Sequence, residues 1–125
     1  MSIDEPLNAF DETLEPCSED PLTGFLRDGC CNTNVQDLGV HTICVEVTQE
    51  FIEFSRFRGN DLSTPQPQLG FPSLHRGDRG CLCAARWLEA YEHDIAPRVF
   101  LRSTHRRTLD IIPLELLRRF ATDLN

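Results

Sequence analysis

The residue type with the most chemistry to offer in this chain is cysteine. Four of the six cysteines fall in two tight pairs, Cys30-Cys31 and Cys81-Leu82-Cys83, one pair in each half of the sequence. A thiolate is a nucleophile, a metal ligand and a redox centre, and its local electrostatics decide its reactivity. Helical periodicity takes over at Ala84, which places Cys83 at a helix N-terminus with Arg79 and Arg86 nearby. The helix dipole and the two cations favour a thiolate there, so Cys83 is the candidate nucleophile or redox centre. On a strand, Cys81 and Cys83 would share a face with alpha carbons about 7 Å apart. That is near the limit for a disulfide and workable for two ligands of one metal. Adjacent Cys30 and Cys31 point oppositely on extended backbone, one towards a site and the other towards the core. The competing reading makes all of these small packing residues.

A reactive thiol needs partners. His105, with a reference pKa near neutrality, is the candidate acid or base, and Arg86 the candidate anion holder. Arg27, Asp28, Cys31, Asn60 and Asp61 complete a polar, thiol-bearing cleft for a small molecule. Local capping is the simpler account of Asp28 and Asp61, as is solvation for His105. Structural zinc sites draw ligands in C-x₂₋₄-C or H-x₃₋₅-H pairs, and neither cysteine pair has that spacing. His41-x-x-Cys44 is spaced suitably, but a strand sends those side chains to opposite faces. No metal and no cofactor is expected, and a small zinc protein is the lesser alternative.

Composition narrows the field. All twelve basic residues are arginine, against twenty acidic ones, for a net charge of −8. Such a balance opposes binding to nucleic-acid phosphates. Without lysine there is no Schiff-base chemistry, pyridoxal anchor or phosphate-loop lysine. A GC-rich genome and adaptation to high salt explain the missing lysine equally well. The motifs G-x-S-x-G, H-E-x-x-H and G-x-G-x-x-G are absent. No apolar run approaches the roughly 20 residues of a membrane span, and no signal-peptide pattern is visible. The expectation is a cytoplasmic protein with reduced thiols, whose even cysteine count is not a disulfide framework. The Arg76-Gly77-Asp78 triplet is read as a turn rather than an adhesion signal.

These side chains must be positioned by a single small domain, since 125 residues at 40% hydrophobic content suit one modest core. Residues 1–15 read as an acidic, loosely ordered arm and 16–125 as the domain. His41 to Val47 is the clearest strand, with His41, Ile43, Val45 and Val47 on its core face. Thr48 caps a helix that Gly59 stops, and Val47, Phe51, Phe54 and Arg58 form its stripe. Asn60 to Pro72 is a long loop carrying three prolines. Ala84, Trp87, Leu88, Tyr91 and Ile95 face one way on a second helix that Pro97 ends. Val99 to Leu101 and Leu109 to Ile112 are short strand candidates, and Pro113 opens a last amphipathic helix. The result is an α+β fold with a mostly antiparallel sheet and about three packed helices.

Several longer phrases carry a resemblance. Thr23-Gly24-Phe25 with Asp28-Gly29-Cys30-Cys31, Gly59-Asn60-Asp61-Leu62-Ser63-Thr64-Pro65 and Cys81-Leu82-Cys83-Ala84-Ala85-Arg86-Trp87 are similar to a family of small, mainly bacterial proteins known as a domain of unknown function. Phe71-Pro72, Gly77-Asp78 and Thr104-His105 fit the same pattern, which runs from about Leu7 to Ala121. Gly80 departs from it, where the resemblance implies tryptophan. The family implies no activity, substrate or cofactor. Two classes of function stay open: a thiol-bearing cleft acting on a small molecule, and a non-catalytic binding or scaffold protein.

Overall fold

The structure, a computed structural model, describes residues 6–69 and 73–124. The fold is α+β. A central strand β1 (His41–Glu46) is flanked by β2 (Arg79–Cys83) and β3 (Arg98–Val99), both antiparallel to it. Helices α1 (Gln49–Phe57), α2 (Ala84–Glu92) and α3 (Leu114–Arg118) complete the framework. No described helix is long and apolar enough to cross a membrane.

β1 is covered on both sides, which is why residues 42–45 are all buried. Ile43 and Val45 join Val47, Phe51, Leu82, Trp87 and Val99 in the main core. On the opposite face, Thr42 Oγ1 meets Thr108 Oγ1 at 2.6 Å, and the Cys44 amide donates to Thr104 Oγ1 at 3.1 Å. These bonds satisfy polar groups that burial would otherwise penalise. α1 starts where Thr48 Oγ1 accepts the Phe51 amide at 3.0 Å and gives way to Gly59, whose φ of 88° suits glycine. Trp87 is fully buried on α2, and its indole N–H donates to the Pro97 carbonyl at 3.0 Å.

Three expectations change. The segment from Leu109 is not a strand but part of a 3₁₀ helix over Arg106–Asp110, tied by its own short-range amide bonds. β3 ends at Val99 because Asp123 accepts the amides of Leu101 and Arg102 and winds them into a 3₁₀ turn. Residues 6–15 are not a loose arm. Asn8 is fully buried, donating to the Arg102 carbonyl and accepting the Phe10 and Glu12 amides, while Ala9 and Leu14 are also buried. Residues 1–5, like Phe71-Pro72, lie outside the described residues. Gly80 sits against Leu74, whose Cδ1 would lie 2.9 Å from an added Cβ. A larger side chain at position 80 would have to displace Leu74.

Candidate functional site

Cysteine pairing departs from the sequence reading. Cys17 is bonded to Cys44 and Cys31 to Cys81, so the chain does carry a disulfide framework. Antiparallel pairing sets Cys44 directly opposite Cys81, and the loops that carry Cys17 and Cys31 cover that face of the sheet. Cys31 is fully buried within it and lines no cleft, contrary to its expected role. Cys30 and Cys83 remain as free thiols, each half-buried. Burial raises the Cys30 pKa, and the charges of Asp28 and Glu19 add to the effect.

Cys83 occupies the junction between β2 and α2, as its N-cap residue. It lines a cavity of about 600 Å³ beside the free edge of β2. That edge is partly closed by Thr23, whose hydroxyl accepts the Cys81 amide at 2.8 Å. Of the residues expected beside Cys83, the cavity brings in Arg27, Asn60 and Asp61. Leu62, Gln66, Leu74 and Phe25 supply the rest of a wall that mixes apolar and polar groups. Burial lowers the Arg27 pKa, and its Nη1 donates to the Leu22 carbonyl at 3.3 Å. Asp61 is held at about 2 by hydrogen bonds from the Thr64 hydroxyl, the Ser63 hydroxyl and the Ser63 amide. Its carboxylate is therefore committed to shaping the loop.

Three expected partners lie elsewhere. Arg86 donates to the Arg58 carbonyl and pairs with Glu89, away from the cavity. Asp28 is exposed and its carboxylate accepts the Cys30 amide, an ordinary turn contact. His105 caps the Arg106–Asp110 segment, its Nδ1 accepting the Arg107 amide at 3.0 Å. Burial lowers its pKa, helped by the charges of Arg107 and Arg106.

The histidine at the cavity is His41. Strand alternation assigns it to the core face, but a register irregularity between His41 and Ile43 makes His41 the cross-strand partner of Cys83. Bulges of this kind re-aim a side chain. Its Nδ1 lies 2.6 Å from Asp37 Oδ1, and the His41 amide donates to Asp37 Oδ2 at 2.8 Å. Thr33 donates a third bond to this fully buried carboxylate. The ring of Phe25 stacks on the imidazole, and an added Cβ at Gly39 would lie only 2.5 Å from its Cε1. Between the two parts, the Val40 carbonyl accepts the Ala84 amide at 3.1 Å, joining the His41 turn to the start of α2. Asp37 and His41, which sequence reasoning missed as site residues, thus form a fixed pair at the cavity. An aspartate four residues before a histidine, across a glycine, was the available signal, but the register irregularity that pairs His41 with Cys83 leaves no sequence mark.

Burial pushes the Asp37 carboxyl up, yet the bonds from His41 and Thr33 and the His41 charge outweigh it, so its pKa is lowered. A lowered folded-state value stabilises the protein above the unfolded pKa of about 3.9, and that contribution is lost as pH falls through the folded value. Urea unfolding between pH 6 and 3 should show the native chain losing stability more steeply than Asp37→Asn. Parallel curves would mean that Asp37 is not held as a carboxylate in the fold.

A search of curated proteins finds no match to this chain. Residues 7–121 do match the model of a family described as uncharacterized proteins conserved in bacteria, DUF2237, and the chain belongs to that family.

Proposed function

We propose that the cavity binds a small carbonyl compound and that Cys83 attacks it, with His41 as proton carrier and Asp37 as the group that orients His41. The observation carrying this reading is the cross-strand pairing of Cys83 with a histidine whose Nδ1 is held by a buried carboxylate. With Nδ1–H bonded to Asp37, Nε2 is the nitrogen left to exchange protons. In this reading Cys83 is the nucleophile, His41 the base and Asp37 the orienting carboxylate, the three roles of thiol catalysis.

In the step proposed, the Cys83 S–H proton moves to His41 Nε2 as the sulfur–carbon bond forms. The carbonyl electron pair shifts to oxygen, where first-turn N–H groups of α2 beyond that of Ala84, which is committed to Val40, can donate. Collapse of the adduct expels the leaving group, which recovers the proton from His41. Water, deprotonated by the same imidazole, then attacks the thioester carbon; the carbon–sulfur bond breaks, the carboxylic acid leaves and the Cys83 sulfur takes the proton back from His41. Cavity volume and mixed lining suit a small molecule of intermediate polarity.

The test is acylation by an activated aryl ester, 4-nitrophenyl acetate, followed by peptide mapping. One acetyl group should appear on Cys83 and vanish in Cys83→Ser. If Cys83 reacts no faster than Cys30, or than either thiol in the denatured chain, the cavity is a binding site without this chemistry.

A further inference from the structure

Cys17, Cys31, Cys44 and Cys81 come from four separate segments yet meet in one buried cluster. We propose that, once reduced, these four residues bind a single soft divalent metal ion of the zinc class. The Sγ atoms of Cys17, Cys31 and Cys81 already lie within 4.8 Å of one another, and Cys44 is bonded to Cys17. Four thiolates at about 2.3 Å from a tetrahedral zinc stand about 3.8 Å from each other, so three sulfurs are already near that spacing and the Cys44 side chain, outside that group, must rotate to join them. The backbone needs little change, because the paired alpha carbons are 5.8 and 5.2 Å apart and Cys44 faces Cys81 across the sheet.

The surroundings suit a closed, structural type of site. Cys31 and Cys44 are 0% exposed and Cys17 is 4% exposed, while Cys81 is half-buried on the cavity wall; the four cysteines together fill all four positions of a tetrahedral ion. Phe100 packs against the cluster, and the guanidinium of Arg79 lies 3.8 Å from its ring centroid. That cation offsets part of the net negative charge of four thiolates on a divalent ion. Unbonded sulfurs need more room than disulfides do, and a central ion would fill the space gained. The electrons come from a dithiol reductant. Each disulfide takes two electrons and two protons while the dithiol closes to its own disulfide, and metal binding then releases the four thiol protons to solvent.

The experiment uses the full chain carrying Cys30→Ser and Cys83→Ser, so that only these four cysteines remain. It is reduced with dithiothreitol, freed of reductant under argon, and titrated with Co²⁺ and then Zn²⁺. The expected result is one cobalt per chain, with sulfur-to-cobalt charge-transfer and tetrahedral ligand-field bands that zinc abolishes. The oxidised protein should show none of these. Replacing any one of the four cysteines by serine should weaken binding at least about tenfold. The proposal is overturned if reduced, folded protein gives no such bands, or if they persist after Cys31 and Cys81 are both replaced. It is equally overturned if reduction unfolds the chain and neither metal restores its circular dichroism.

Discussion

His41→Asn is expected to slow acylation of Cys83 by about 10²-fold or more, the range over which a positioned general base acts. Asparagine keeps a polar group of similar size beside Asp37 but cannot accept the thiol proton. Asp37→Asn tests the other half of the pair. An amide at position 37 can still accept from the His41 backbone, but it gives up the negative charge that favours Nδ1–H facing inward. It should slow the same reaction by a smaller factor and leave ester affinity nearly unchanged, because Asp37 does not line the cavity. His105→Asn is the contrasting control. His105 accepts the Arg107 amide in its own turn, away from the cavity, so its loss should leave acylation intact. Stopped-flow release of 4-nitrophenolate measures all three rates. Equal rates for native chain and His41→Asn would remove His41 from the chemistry.

Trp87→Ala should be the most destabilising single change in the core, costing about 3–5 kcal/mol. The indole is completely buried, runs nearly parallel to Tyr91 at 6.0 Å, and meets the edge of Phe120 at 5.2 Å. Truncation would open a cavity between α2 and the segment after α3, and would orphan the Pro97 carbonyl that the indole N–H satisfies. Trp87→Phe separates these contributions. It refills much of the space but leaves that carbonyl unpaired, at about 1–3 kcal/mol for a buried unsatisfied acceptor. Urea denaturation curves with unchanged slope would yield both values. A loss below about 1 kcal/mol for the alanine variant would show that the cluster of Trp87, Tyr91 and Phe120 repacks around the gap.

Local signals account for much of the framework. Thr48, Gly59, Ala84 and Pro113 mark where helices begin or end because capping and backbone freedom act over only a few residues. The β-branched run at His41–Glu46 marks the central strand, and helical spacing marks Trp87 as core. The short connections were harder to read. Leu109 to Ile112 reads as strand because apolar runs are ambiguous at that length, and only tertiary packing selects the 3₁₀ segment. Acidic residues near the N-terminus suggested a loose arm, although buried Asn8 binds the Arg102 carbonyl 94 residues away.

Of the six cysteines, sequence alone determined one placement well: Cys83 at the start of a helix, where it stands as N-cap of α2. Arg27, Asn60 and Asp61 line the same cavity, the last two on the long loop that opens at Asn60. Tertiary structure alone decided which residues meet Cys83 and which cysteines meet each other. His41 becomes the cross-strand partner of Cys83 through a slip in strand register, and His105 and Arg86 spend their polar atoms on nearby turns and helices. The tight pairs of the sequence are not the bonded pairs of the fold. Cys30 and Cys31 diverge because neighbouring residues on extended backbone face opposite ways, whereas Cys44 and Cys81 converge because antiparallel strands align residues distant along the chain.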